Sequence, residues 1–362
     1  MILSLALGLA ALVAGAELLV KGAVKIAAAA RVPPLVIGLT IVAFGTSAPE
    51  LAVSVSAALS GRADVALGNV LGSNIFNVLF ILGLSAAVAP LAVVLPVIRR
   101  DVWVMLTASC AALAVAYDGV VDQREGFAFV ATIVMLTVAL IRMGRKENAL
   151  LPPSEAAAFA PPPRGLMSLL KAGGAILAGL ALLVWGSQAL VGAAVALARA
   201  AGISELAISL TLVAAGTSLP EAATSVVAAV RGQRDIAVGN VVGSNVFNIF
   251  AVLGGAAALS AQGVTVSPAA LEFDMPVTIA TALICVPILA SGQIVDRLEG
   301  LLLLASYCAY GFCLFLRGPA PLPPWPAIAI LALLLLAAAL AGRCAGATTG
   351  SRKGWRAGAR RW

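Results

Sequence analysis

Polar residues interrupt this chain at long intervals, leaving nearly continuous apolar runs of roughly 20 residues or more, the length that crosses a hydrocarbon core as a helix. The runs fall at roughly 2 to 29, 34 to 59, 66 to 89, 96 to 117 and 125 to 141, then at 168 to 199, 205 to 230, 237 to 260, 270 to 291 and 299 to 316. A shorter run, Pro326 to Ala341, predicts an eleventh helix. Between the two groups of five, Arg142 to Lys171 holds Pro152, Pro153 and Pro161 to Pro163 and reads as a flexible linker. The expected organisation is a first transmembrane unit over 1–147, a cytoplasmic linker over 148–167, a second unit over 168–317, and an extra helix with a basic tail over 318–362.

The two units are copies of one another. Residues 38–84 and 209–255 align without gaps, and 27 of the 47 positions are identical, including Gly, Thr, Pro, Asp, Asn and Glu, which apolar composition alone does not produce. Farther along, Asp122 to Gly126 (DQREG) resembles Asp296 to Gly300 (DRLEG). An odd number of helices per copy inserts the second upside down, so the pattern predicts an all-α polytopic membrane protein of two inverted-topology repeats of five helices. Basic residues agree if the N-terminus is outside. The inward turns then hold Arg31, Arg99, Arg100, Arg142, Arg145, Lys146, Arg231 and Arg234, and the outward turns hold Arg62 with Asp64, the acidic stretch Asp118 to Glu125, Glu205, Glu272 and Asp274. An eleventh helix returns the basic tail (Arg343, Arg352, Lys353, Arg356, Arg360, Arg361) to the inside.

Composition narrows the chemistry. Of 362 residues 62% are hydrophobic and 11% charged, with a mean hydropathy of +1.07, too little polar surface to clothe a water-soluble domain. There is no histidine, and the five cysteines are scattered without a CxxC pair, which removes the usual zinc ligands, His-based catalysis and His proton relays. An intramembrane enzyme would need a nucleophile and base or a metal motif such as HExxH, and none is written here. The net charge of +7 sits at span ends rather than interleaved with aromatics, so membrane orientation explains it better than nucleic acid does. The first apolar run has no basic region before it and outlasts a signal core, so it is expected to remain as a helix.

Against this background two acids stand out. Glu50 and Glu221 lie in the middle of matched apolar spans that contain no Lys or Arg to pair with them. Pro49 and Pro220 lack an N–H and should break each helix near Gly45 to Ser47 and Gly216 to Ser218, freeing carbonyls at a half-helix end that carries partial negative charge. Thr46, Ser47, Thr217 and Ser218 add hydroxyls. The next helix of each repeat offers Ser73 with Asn77, four apart on one face, and Ser244 with Asn248. The set is all hard oxygen, suited to Ca²⁺ and Na⁺. Each Ser or Thr alone is as well explained by bonding back to a helix carbonyl. Glu17, with Lys21 four residues on, reads as a local ion pair, and Asp64, Asp101, Asp235 and Asp274 read as solvated or ion-access residues at span ends. Gly68, Gly72, Gly239 and Gly243 form small-xxx-small patches for close helix packing.

These residues resemble the calcium/cation antiporter superfamily, and within it the bacterial sodium/calcium exchangers, whose paired repeats carry GTSxPE followed by GNxxGSNxxN. Both motifs occur twice: GTSAPE at Gly45 to Glu50 with GNVLGSNIFN at Gly68 to Asn77, and GTSLPE at Gly216 to Glu221 with GNVVGSNVFN at Gly239 to Asn248. The resemblance implies ten helices, Ca²⁺ held by Glu50 and Glu221 with the backbone of Thr46 and Thr217, and Na⁺ sites lined by Ser47, Ser73, Asn77, Ser218, Ser244 and Asn248. Asn248 departs from potassium-dependent and some sodium-coupled relatives, which carry aspartate there, so potassium dependence is not implied. The expected function is Ca²⁺ exchange for Na⁺ without a cofactor in a bacterial inner membrane, with Ca²⁺/H⁺ exchange and a passive channel as alternatives.

Overall fold

The computed structural model describes residues 2–149, 165–200, 214–290 and 293–317. The predicted eleventh helix and basic tail, most of the linker, Glu205 and the start of the seventh predicted span lie outside the described residues. The described chain is helical almost throughout. Helix α1 (Ile2–Ala30) is followed by α2 (Pro34–Thr46) and α3 (Ala48–Leu59), then α4 (Ala63–Val88), α5 (Val97–Asp118) and α6 (Gln123–Ala149). The second half contains α7 (Leu166–Ala200), a short α8 (Ala214–Thr217), α9 (Leu219–Val230), α10 (Arg234–Leu259), α11 (Ala270–Ala290) and α12 (Arg297–Arg317). Among the described residues eight helices are long and apolar enough to cross a membrane, and the bent pair α2/α3, counted as one span, would bring the number to nine.

Helices α4 and α10 form the centre, with 78% and 89% of their spanning residues buried, whereas α6 has only 11% buried although its sequence is just as apolar. An apolar helix turned outward is stable in hydrocarbon and not in water, so lipid surrounds the bundle.

Contacts between the halves are reciprocal. Gly83 of α4 lies against Gly300 of α12, and Gly254 of α10 against Gly126 of α6, each too close to admit a Cβ. Strand β1 (Leu91–Ala92) pairs with β4 (Ile294–Val295), and β2 (Val120–Val121) with β3 (Val264–Thr265), both antiparallel. The DQRE and DRLE sequences are capping boxes: Asp122 and Glu125 exchange backbone-to-side-chain bonds at 2.8 and 2.9 Å at the start of α6, and Asp296 and Glu299 do so at 2.9 Å at the start of α12. Helices α1 and α7 run antiparallel, Gly8, Gly15 and Gly22 facing Gly186, Gly179 and Ala172. A Cβ on Gly15 would lie 2.8 Å from the Gly179 carbonyl oxygen.

The expected glycine patches divide. Gly239 and Gly243 receive the backbone of α2 at Leu35 and Leu39, while a Cβ on Gly68 or Gly72 would meet no described atom within 4 Å beyond its own stretch of helix.

Candidate cation site

Each half breaks a helix beside its acid. Ser47 (φ −83°, ψ 6°) and Ser218 (φ −90°, ψ 8°) leave the helical region, and α2 and α3 meet at 46°. Pro49 and Pro220 follow two residues later, as expected, because a ring nitrogen cannot donate to the carbonyl of Gly45 or Gly216. In the second half that carbonyl is taken up by the hydroxyl of Ser187 on α7. Its counterpart in the first half, at the same offset that aligns 38–84 with 209–255, is Ala16 of α1, which has no hydroxyl to offer.

The break carries the serines across the bundle. Ser47 Oγ donates to Glu221 Oε1 at 3.0 Å, and Ser218 Oγ lies 3.0 Å from Glu50 Oε1 and 3.0 Å from Ser73 Oγ. Each motif therefore solvates the acid of the other half. Two asparagines reinforce the arrangement. Asn69 Nδ2 donates to the Glu50 carbonyl (3.2 Å) and to Ser54 Oγ (2.9 Å) while its Oδ1 accepts from Thr217; Asn240 Nδ2 donates to the Glu221 carbonyl (3.3 Å) and to Ser225 Oγ (3.0 Å) while its Oδ1 accepts from Thr46.

Nine of the ten expected site residues are buried, and Thr217 is half-buried. Their polar atoms are not all used. Among the described residues Glu50 Oε2, Glu221 Oε2, Asn77 Oδ1, Asn248 Oδ1 and Ser244 Oγ are buried without a hydrogen-bond partner. A buried oxygen left bare costs about 1–3 kcal/mol, more for a charged group, and here all five atoms can donate a lone pair to a metal. No three His, Cys, Asp or Glu side chains cluster as a metal site among the described residues. The oxygens instead come from two carboxylates, amides and hydroxyls, a hard set that suits Ca²⁺ or Na⁺. The Thr46 hydroxyl lies 3.1 Å from the Val42 carbonyl and 3.2 Å from Asn240 Oδ1, and the Thr217 hydroxyl lies 3.3 Å from Asn69 Oδ1.

Asparagines 69, 74, 240 and 245 were absent from the expected ligand set. Their signal was their identity in both motif copies, but nothing local showed that they bond across the bundle. The π-helical turns Phe76–Leu82 and Asn248–Leu253, which open the helices at the site asparagines, have no sequence signature. Glu17 binds Lys21 (2.8 Å) as expected and also Arg231 (2.7 Å). Asp101 corrects the expectation of a solvated residue: it is only 3% exposed, and the neighbouring Arg100 guanidinium, 2.7 Å from Asp101 and 3.4 Å from Glu147, meets its charge in place of water.

A polytopic bundle that gathers unpartnered oxygens in a buried interior has the architecture of a membrane ion transporter. The sodium/calcium exchanger protein family matches residues 1–142 and 171–316, and the chain belongs to that family. It is 40% identical over 255 residues to the inner membrane protein YrbG of Escherichia coli (69% of this chain, 77% of that protein), and 32% identical over 344 residues to the sodium/calcium exchanger MaX1 of Methanosarcina acetivorans (86% and 98%). The sodium-calcium exchanger NCX_Mj, solved after soaking with Na⁺ and Sr²⁺, superimposes with a TM-score of 0.72 at 28% identity, covering 85% of this chain and 96% of that one. The protein is a multi-pass membrane cation antiporter of the sodium/calcium exchanger type, a transporter rather than an enzyme.

Proposed function

We propose that the protein exchanges Ca²⁺ for Na⁺ by alternating access around one site, near the bilayer midplane, shared by Glu50 and Glu221. The observation that carries this reading is the crosswise bonding of each carboxylate by the opposite serine, which leaves one bare oxygen on each acid. Two carboxylates are neutralised by one Ca²⁺ or by two or more Na⁺, and the empty, charged site resists rearrangement across a low-dielectric barrier. Exchange is then obligatory. Ser47, Ser218, Ser73, Ser244, Asn77 and Asn248 complete the ion sites with the backbone of Thr46 and Thr217. The two units, 1–147 and 168–317, sit as inverted repeats in a bacterial inner membrane, N-terminus outside and linker inside.

The test is Ca²⁺ uptake into vesicles of the purified protein. Uptake should follow an imposed Na⁺ gradient, persist with the pH gradient collapsed, and fall at least 100-fold, about 2.7 kcal/mol, in Glu50→Gln. Uptake that ignores Na⁺ and tracks pH would assign the same carboxylates to Ca²⁺/H⁺ exchange. Uptake that needs no counter-cation would make the protein a channel.

A further inference from the structure

The two site asparagines present a physical problem. The ends of a side-chain amide are nearly isosteric, and rotating it swaps a carbonyl that binds a cation for an NH₂ that repels it. We propose that Asn74 and Asn245, neither of them ligands, are positioning residues that lock the amides of Asn248 and Asn77 with their oxygens toward the ions.

The polarity of the lattice follows from groups that cannot be reversed. Asn245 Nδ2 lies 3.4 Å from the backbone carbonyl of Asn74 and 3.3 Å from the Met105 sulfur, both of which only accept. That end of Asn245 is therefore the donor, and its Oδ1 must receive an N–H. Asn77 Nδ2 supplies it at 3.0 Å, and Asn77 Oδ1 is turned away into the buried, unpartnered position. The mirror chain begins at another backbone carbonyl. Asn74 Nδ2 donates to the Asn245 carbonyl at 3.2 Å, Asn74 Oδ1 accepts from Asn248 Nδ2 at 3.1 Å, and Asn248 Oδ1 is left bare. All four asparagines are at most 3% exposed, so their amides are held by one another and by backbone carbonyls rather than by bulk solvent. Each half thus sets the amide of the other, and the bare oxygens are a product of the lattice.

This inference rests on the antiport reading, and the experiment separates the two. Ca²⁺ binding is measured by titration calorimetry on the full-length protein in detergent, with size-exclusion profile and melting temperature as controls for folding. Asn245→Ala frees Asn77 to rotate and should weaken binding about 10- to 100-fold, the usual effect of removing an outer-shell partner. In an Asn77→Asp background both terminal atoms are oxygen and orientation is irrelevant, so Asn245→Ala should then cost less than about threefold, a coupling that a general packing defect does not produce. Asn74→Ala with Asn248→Asp gives the mirror comparison. The lock is overturned if Asn245→Ala binds like the parent, if its cost is equal in both backgrounds, or if both alanine variants fail to fold and the aspartates restore no binding. If the parent binds no Ca²⁺, or Glu50→Gln binds as the parent does, the antiport reading fails first and takes the lock with it.

Discussion

The serine at each break has two duties that a helical serine never combines. Released from regular helix by the proline two residues on, it crosses to the other half and meets a carboxylate that no described lysine or arginine neutralises. Ser47→Ala and Ser218→Ala each remove one charge-assisted bond, worth about 1.5–3 kcal/mol. Each should therefore lower apparent Ca²⁺ affinity about tenfold or more, with the larger loss at Ser218, whose hydroxyl also bonds Ser73, as read by Ca²⁺ uptake over a concentration series. A loss at only one of the two positions would show that the crosswise bonds do not both support the ion. At this scale the sequence exposed the acids, hydroxyls and prolines, because each is chemically out of place in an apolar span. It did not expose who bonds whom. A serine that bonds back to its own helix and one that reaches across the bundle are written identically, and Asp101 reads as an exposed charge until the guanidinium of Arg100 is seen folded onto it.

Elements obey simpler rules, and here the sequence was read further. Helix breaks and spans follow from missing N–H groups and apolar length, both local properties, whereas the matched DQRE and DRLE segments showed themselves as caps only in the structure. Restoring a donor should undo a break. In Pro49→Ala the new N–H can pair with the Gly45 carbonyl and relax the 46° bend between α2 and α3, which should draw Ser47 away from Glu221 and lower Ca²⁺ affinity about tenfold, roughly 1.4 kcal/mol, in the same uptake assay. Packing between elements was partly legible, since closely spaced glycines announce a close approach without naming the partner. Gly239 and Gly243 meet α2, but the long antiparallel seam of α1 on α7 lies along glycines seven residues apart. A Cβ on Gly179 would sit 2.7 Å from the Gly15 carbonyl oxygen and from the Leu19 nitrogen. Gly179→Val should therefore force the helices apart at a cost of about 1–3 kcal/mol, lowering the melting temperature in detergent and abolishing uptake.

At the scale of the whole molecule, the reciprocal contacts mean that neither half satisfies its own interior. Glu50 needs Ser218, Glu221 needs Ser47, and Asn74 and Asn245 each donate to the backbone of the other. Expressed alone, residues 1–149 would leave these polar groups facing lipid, and the fragment should be degraded. Co-expressed with residues 165–362 it should be protected and should recover uptake, measured by immunoblot of the membrane fraction and by flux. Pairs that swap roles between two copies, such as Gly83 with Gly300 and Gly254 with Gly126, have the form of an isologous two-fold interface. A half-length ancestor able to insert in both orientations could have made every one of these contacts as a homodimer. Joining two such copies freed each position to diverge, and Ser187, which binds the freed Gly216 carbonyl opposite an Ala16 that cannot bind Gly45, records that the copies have already begun to do so.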